Sequence, residues 1–143
     1  MTNNSESSDR AEMLLNISRR VAHDESIEDI IASIIEVTTW ELKAERGSLF
    51  LNDAATNELY TRYAQGNNLR EIRIHNKSGI AGSVFQSGAG EIIHDAYSDE
   101  RFNSAVDQQT GYTTKNILCA PVKTLNGVVI GSAEVLNKKS INK

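Results

Sequence analysis

The sequence has very little that would tie it to an oxidising compartment or to a membrane. Cys119 is the single cysteine among 143 residues, so the chain cannot form an internal disulfide, and a cytoplasmic location is the default. No apolar run approaches the roughly 18–20 residues that cross a bilayer. The first ten residues lack the apolar core of a signal peptide. These absences predict a soluble, cytoplasmic protein.

Positive charge is scarce as well. The 15 Lys and Arg residues are outnumbered by 19 Asp and Glu residues, which gives a formal net charge of -4. A protein that binds nucleic acid mainly by electrostatics needs a basic surface to displace counterions, so that class of function is disfavoured. With 39% hydrophobic and 24% charged residues, the chain fits one globular domain with an ordinary core.

Two amphipathic helices are predicted near the N-terminus, after a polar tail over residues 1–9 that we expect to be disordered. The segment 10–22 places four apolar side chains on one helical face: Met13, Leu14, Ile17 and Val21. The segment 26–42 carries a broader stripe of isoleucines, with Ser26 as its N-cap. Because β-branched isoleucine is only a middling helix former, this second helix must pack against the domain to be stable.

Beyond residue 46 the hydrophobic pattern shortens to strands and turns. Six strand-like segments are predicted, at 48–53, 58–65, 71–76, 91–95, 116–125 and 128–138. The last two flank Asn126-Gly127, a strong signal for a hairpin. Short helices are expected at 77–88 and 103–111.

The order of these elements predicts an α+β domain. Two helices followed by a run dominated by strands are typical of helices layered on an antiparallel sheet. We therefore expect one domain over 10–143, with its N-terminal helices within 10–44 and its sheet and ligand pocket within 46–138.

Four blocks of sequence resemble the GAF domain family, specifically the cyclic-nucleotide-binding GAF domains of phosphodiesterases and some bacterial adenylyl cyclases. The blocks are RGSLFL (46–51), SGIAGSVFQSG (78–88), DAYSDERFNSAVDQQTGYTTKNILCAPV (95–122) and VIGSAEVLNK (129–138). They follow the family's order and spacing, and the long third block is the specific one. The resemblance implies a PAS-like GAF fold with a six-stranded antiparallel sheet. A ligand would lie between that sheet and the short helices of residues 78–111.

The C-terminal signature of the cyclic-nucleotide-binding type is incomplete. Asn137 and Lys138 match its start, but the sequence stops at Lys143, before the Phe and the Asp-Glu pair that close it in the family. The family's C-terminal helix is expected to be missing as well. We therefore expect the chain to be the N-terminal portion of a longer protein with an attached output domain.

The resemblance assigns the phosphate of a cyclic nucleotide to the start of the helix predicted at 77–88. The backbone N–H groups of Ile80 and Ala81 match those that hold the phosphate in the family. The general physics fits, because the free N–H groups and the positive dipole end of a helix N-terminus attract anions. An ordinary glycine-flanked helix would explain the same residues, so this motif alone does not decide the function.

The resemblance also implies that residues 95–114 form a lid that reorders on binding. The matching residues of related domains lie against the ligand, directly or through water; here they are Asn103, Asp107, Thr110, Thr114 and, on the last strand, Glu134. Asp107 and Thr110 lie three residues apart and share one face of a helical turn. Each residue alone also fits a helix end or a solvated surface. Their joint spacing is what favours a pocket.

The base is predicted from two positions. In cGMP-binding relatives an Asp follows an aromatic residue on the second strand, and the matching pair here is Tyr63-Ala64, which lacks the acid. Arg46, two residues before the pocket residue Ser48, resembles the arginine of cAMP-binding cyclase domains. A guanidinium donor suits N1 of adenine and opposes the N1–H of guanine, so cAMP is preferred over cGMP as the ligand.

Arg46 also has an interpretation outside the pocket, whereas the signals for a reactive cysteine, an enzyme or a metal site are weak. Arg46 would alternatively form a surface ion pair with Glu41 or Glu45. Cys119 lies in an apolar strand and is expected to be a small core residue rather than a nucleophile. Because no nucleophile–base pair and no metal spacing of histidines is evident, neither an enzyme nor a metal site is expected, and no cofactor is required.

The alternative function is a GAF dimerisation or interaction module, whose pocket is empty or takes a different small ligand. The narrow apolar face of residues 10–22 favours it. The two functions can coexist, so the expected partners are a small ligand, a second copy in a homodimer and an attached output domain. Nucleic acid and membrane are not expected as partners.

Overall fold

The chain folds around a six-stranded antiparallel sheet, in a computed structural model that describes residues 8–12, 14–16, 18–19, 27–64 and 71–139, without the side chains of 27, 28, 63, 106, 109 and 110. In chain order the strands are β1 (Ala44–Asp53), β2 (Glu58–Ala64), β3 (Arg73–His75), β4 (Glu91–Ile93), β5 (Ile117–Lys123) and β6 (Val129–Lys138). Across the sheet their order is β3-β2-β1-β6-β5-β4, and every neighbouring pair is antiparallel. The predicted α+β class and the six-stranded sheet are confirmed.

Helices cover both faces of this sheet. They are α1 (Ile27–Glu41), α2 (Gly79–Ser87), a 3-10 turn (Ala96–Ser98) and α3 (Ala105–Thr110). Helix α1 packs so closely on one face that an added Cβ at Gly47 would lie 2.8 Å from Cγ2 of Ile35. Since side chains alternate along a strand, Phe50 points to the opposite face, where it packs with α2.

The hydrophobic core lies between the sheet and α2. Its buried members are Phe50, Leu59, Ile80, Ala81, Val84, Ile93, Ala96, Ile117 and Cys119. Cys119 is fully buried, as predicted for a core residue, and burial raises the pKa of its thiol far above the usual range. Because α2 is fixed by this core, the position of its first turn is set by packing rather than by any ligand.

Helix α1 agrees with the helix predicted at 26–42, although its apolar stripe is wider than its contact with the sheet. Ile35 is buried, whereas the neighbouring Ile34 stays 45% exposed. The predicted N-cap, Ser26, lies outside the described residues. The isoleucine pattern thus identified the helix correctly but overstated how much of it the domain buries.

The N-terminal segment is helical over 8–12, 14–16 and 18–19. Met13, Ile17 and Val21 of its predicted apolar face lie outside the described residues, and Leu14 is exposed. The predicted disordered tail was too long, since residues 8 and 9 are already helical. Ser and Asp suit helix starts, so a polar composition did not exclude a helix there.

The strand boundaries differ from the prediction mainly at β1. This strand begins at Ala44, which pairs with Lys138 of β6, rather than near residue 48. Pairing with β6 extends β1 to residue 44, and the pattern of residues 44–47 alone does not reveal this extension. The predicted hairpin is confirmed: β5 and β6 are joined through Asn126-Gly127, and Gly127 adopts a φ of 86°, which favours glycine.

Candidate functional site

A cavity lies between the sheet and the lid, defined here as residues 95–114. It has a volume of about 130 Å³ and is walled by β1, β6, the first turn of α2 and the lid. Eight of the ten predicted ligand-binding residues line it: Arg46, Ser48, Ile80, Ala81, Asn103, Asp107, Thr114 and Glu134. The other two, Tyr63 on β2 and Thr110 on α3, have side chains outside the described set, and they stay predictions.

The floor of the cavity is formed by the middle strands. Ser48 of β1 faces Glu134 of β6, which in turn faces Cys119 of β5, so the three side chains share one face of the sheet. Burial raises the pKa of Glu134 to about 7, because the surrounding protein atoms disfavour its charged form. Near neutral pH the floor therefore presents an acid that can be neutral or ionised.

The first turn of α2 forms the wall expected to accept a phosphate. The first backbone bond of this helix runs from Gly82 N–H to the Ser78 carbonyl, which leaves the N–H groups of Gly79, Ile80 and Ala81 without acceptors in the helix. The buried Ser132 hydroxyl donates to the Ala81 carbonyl at 3.1 Å and ties this turn to β6. A rigid helix start therefore stands beside the polar floor.

The lid is closed on itself by Asp107. Its Oδ1 accepts the Thr114 hydroxyl at 2.8 Å, and its Oδ2 accepts the Thr114 N–H at 2.7 Å and the Tyr97 hydroxyl at 2.7 Å. Asp107 and Thr114 are both buried. The two predicted ligand residues thus bond first to each other, and Asp107 clasps the lid while lining the cavity. Asn103 similarly accepts, at 2.9 Å, the N–H of Ala105, the first residue of α3.

Arg46 lies over an aromatic ring at the cavity. Its guanidinium carbon is 3.7 Å from the centroid of the Tyr112 ring, a cation–π contact between two lining residues. The Tyr112 hydroxyl donates to Glu45 Oε1 at 2.7 Å, and Glu41 pairs with Arg10 at 2.6 Å. The structure thus gives both glutamates other partners. The bond from Tyr112 lowers the pKa of Glu45, and burial together with that bond raises the pKa of Tyr112.

Asn137, at the end of β6, fixes the chain that leaves the lid. Its Nδ2 donates to the Tyr112 hydroxyl at 2.8 Å and to the Thr113 carbonyl at 2.9 Å, while its Oδ1 accepts the Lys115 N–H at 2.6 Å. It is buried and adopts a φ of 59°. The neighbouring Lys138, the second residue of the matched signature, donates from Nζ to the Leu42 carbonyl at 2.9 Å.

Arg101 anchors the first half of the lid. Its guanidinium donates to Glu91 on β4 and to Asp99, each at 2.8 Å, and to the hydroxyl of Ser83 on α2 at 2.9 Å. These bonds lower the pKa of Glu91 and bring the pKa of Asp99 to about 2. The lid is therefore tied to the same helix that presents its first turn to the cavity.

Much of the remaining wall was missed by sequence reasoning. These residues are Gly47, Phe50, Ile72, Ile74, Phe102, Tyr112, Ile117 and Leu136. Tyr112 had a usable signal, since it follows Gly111 between two predicted lid residues. The apolar members had none, because a core residue and a cavity-lining residue look alike in sequence.

Within the described ranges, no helix has both the length and the apolar character needed to cross a membrane. Among those same residues, no three His, Cys, Asp or Glu side chains cluster as metal ligands would.

The fold agrees with a comparison to protein families. The family model described as GAF domain matches residues 26–142. This chain belongs to the GAF domain family. The predicted family and fold are therefore confirmed, and α1 together with the whole sheet lies within the GAF match.

Curated relatives of this GAF domain include cyclic nucleotide phosphodiesterases. They are "Probable 3',5'-cyclic phosphodiesterase pde-5" of Caenorhabditis elegans (38% identity, 87% of this chain, 19% of the relative), "Dual 3',5'-cyclic-AMP and -GMP phosphodiesterase 11" of Drosophila melanogaster (34%, 91% and 10%) and "cGMP-specific 3',5'-cyclic phosphodiesterase" of Drosophila mojavensis (35%, 91% and 13%). The chain spans only 10–19% of the length of these relatives.

Solved structures support the fold at lower identity. The GAF domain of a phosphoenolpyruvate-protein phosphotransferase from Coxiella burnetii superposes with a TM-score of 0.77 at 19% identity, over 91% of this chain and 78% of that one. At such identity the likeness shows the GAF fold alone.

Proposed function

We propose that this GAF domain is a regulatory module that binds a cyclic nucleotide and controls an output domain attached to it. The observation that supports this proposal most is the cavity. A helix start suited to anions, a polar floor and a lid held closed by its own side chains all face it. The names of the relatives favour the same ligand class. Because the chain spans so little of those relatives, we assign it no phosphodiesterase activity. The buried, unpaired Cys119 fits a cytoplasmic module.

The cyclic phosphate would sit at the N–H groups of Ile80 and Ala81, and the lid would close over the ribose. The cavity of about 130 Å³ is smaller than the roughly 300–1,000 Å³ of ordinary ligand pockets. A nucleotide therefore requires movement, and we expect the Arg46–Tyr112 pair to part, because both side chains of this cation–π contact line the cavity.

For the base, we propose a preference for cAMP that rests on Arg46 and Ala64. Both line the cavity, so a guanidinium donor is available and the position of the guanine-reading acid carries a methyl group. The relatives do not support this preference, since one is named dual for cAMP and cGMP and another cGMP-specific. The cyclic nucleotide class thus has support from the relatives, whereas the choice of base depends on Arg46.

Calorimetric titration with cAMP, cGMP and 5'-AMP tests the proposal. We expect both cyclic nucleotides to bind, cAMP more tightly, and 5'-AMP to bind poorly. Heat from neither cyclic nucleotide would refute the function for this domain.

Substitution of Arg46 then tests the choice of base. Arg46→Ala should weaken cAMP more than cGMP. Arg73→Ala is a matched control, because Arg73 also lies over a tyrosine ring, 5.1 Å from the centroid of Tyr60, and does not line the cavity. Equal losses for both nucleotides in Arg46→Ala would defeat the base assignment and leave the ligand class intact.

Exposed apolar residues favour a second, compatible function as a dimerisation module. Ile34 and Trp40 on α1 and Leu14 in the N-terminal helical segment are exposed large apolar side chains. We expect a homodimer by sedimentation that Ile34→Glu disrupts. Ile92→Glu on β4 is the control, because Ile92 is also exposed but lies away from α1. A wild-type monomer would remove this function.

A further inference from the structure

Tyr97 is an exposed residue that reaches the buried clasp of the lid. It lies in the 3-10 turn and is 55% exposed, yet its hydroxyl donates to Oδ2 of buried Asp107 at 2.7 Å. Its ring packs against the cavity-lining Phe102, with centroids 5.0 Å apart and the planes tilted by 59°. No role at the site was predicted for this residue from the sequence.

The backbone beside Tyr97 is fixed independently of its side chain. Ala96 is fully buried, and its N–H donates to the Lys115 carbonyl at 2.8 Å, just beyond the end of the lid. Arg101 holds the following residues to α2 and β4. The Tyr97 hydroxyl therefore extends from an anchored turn and acts as a brace on the Asp107 carboxylate.

The bond matters because of what else the carboxylate holds. Oδ2 of Asp107 accepts both the Tyr97 hydroxyl and the Thr114 N–H, while Oδ1 accepts the Thr114 hydroxyl. A hydroxyl donating to a carboxylate is a charge-assisted bond, stronger than a bond between neutral groups. Without it, Thr114 is the remaining partner of the carboxylate among the side chains that the structure describes, and the carboxylate can rotate with that residue.

We propose that Tyr97 is a positioning residue of the lid, which orients Asp107 so that Thr114 stays closed over the cavity and a bound cyclic nucleotide leaves slowly. The part about nucleotide release rests on the function proposed above. The part about lid closure does not, because the Tyr97–Asp107–Thr114 bonds involve only residues of the protein.

The test is Tyr97→Phe, which removes the hydroxyl and keeps the ring contact with Phe102. Tyr60→Phe is the matched control, since Tyr60 lies on β2 and does not line the cavity. In ligand-free protein we expect exchange of the Thr114 amide hydrogen, followed by NMR, to accelerate about three- to tenfold in Tyr97→Phe and not in Tyr60→Phe. The melting temperatures of the two variants should stay close to each other.

The second measurement is the dissociation rate of a fluorescent cAMP analogue, which should rise by a similar factor in Tyr97→Phe only. Unchanged Thr114 exchange would overturn the proposal, and so would faster exchange with an unchanged dissociation rate. If the wild-type protein bound no cyclic nucleotide, the proposed function would fail on its own. The exchange rates would still show whether Tyr97 braces the lid.

Discussion

The floor and the lid of the cavity both present polar groups, but they are held in different ways. Ser48 and Glu134 on the floor sit on the two longest strands, each paired on both sides by a backbone ladder. In the lid, Asp107 is placed by a six-residue helix and by side-chain bonds to Thr114 and Tyr97. A floor residue moves only if the sheet moves, whereas the lid depends on a few individual bonds and can open locally.

The largest expected effect is on the central strands that form the floor of the cavity. An alanine Cβ at Gly131 on β6 would overlap the carbonyl oxygen of Phe50 on β1, so Gly131→Ala must push two central strands apart. We expect a loss of at least about 2 kcal/mol in the free energy of unfolding, measured with urea. Gly127→Ala is the control, because Gly127 has a positive φ but open space around it. Equal losses would contradict this expectation, because the Cβ added in Gly127→Ala meets no neighbouring atom.

The second effect is loss of the bonds that hold the lid closed, and it should leave the strands of the floor unchanged. Asp107→Ala leaves the Thr114 N–H and two hydroxyls without their acceptor. We expect at least about tenfold weaker binding of both cyclic nucleotides by titration, with a loss of unfolding free energy of about 1–2 kcal/mol. Asp95→Ala removes an exposed lid carboxylate that, among the described residues, accepts a side-chain bond from nearby Ser98, and it should change neither quantity much. Unchanged binding in Asp107→Ala would count against a lid that holds ligand.

This comparison also explains what sequence could predict. Strand alternation, the Asn126-Gly127 turn and the isoleucine period are local patterns, and they correctly predicted the sheet, the hairpin and α1. Family spacing then indicated eight residues that the structure brings to one cavity. Both kinds of signal concern the backbone or fixed positions along it.

The missed features are bonds between side chains whose partners are distant or ambiguous in sequence. The Tyr97 hydroxyl donates to Asp107 and the Tyr112 hydroxyl donates to Glu45, although several other acidic residues lie nearby in the sequence. Arg46 contacts the ring of Tyr112, although Glu41 and Glu45 are closer to it in the sequence. Which partner a side chain contacts depends on distances of a fraction of an ångström, and the spacing of residues along the chain does not reveal it.

A smaller effect concerns the protonation of the floor. The pKa of Glu134 is raised from 4.5 to about 7, so the folded protein binds more protons than the unfolded chain between these values, and stability falls as pH rises through this window. Because Glu134 lines the cavity and is only partly buried as a residue, we expect a loss of about 1 kcal/mol between pH 5 and pH 8. Glu134→Gln should remove that part of the pH dependence of urea unfolding. An identical pH profile in the variant would show that Glu134 is ionised in the fold at low cost.

The smallest effect compares two arginine clusters of equal exposure, one at the lid and one at the far edge of the sheet. The side chains of Arg101 and Arg73 are both 37% exposed, and each pairs with at least two carboxylates. Since exposed ion pairs contribute little to stability, Arg101→Gln and Arg73→Gln should each lower the free energy of unfolding only slightly. Of these two arginines, Arg101 is the one that joins the lid to α2, so Arg101→Gln and not Arg73→Gln should accelerate amide exchange at Phe102 and release of a bound nucleotide. If Arg73→Gln accelerated them equally, the lid would not be the separately held region that its bonds indicate, and opening would involve the whole sheet.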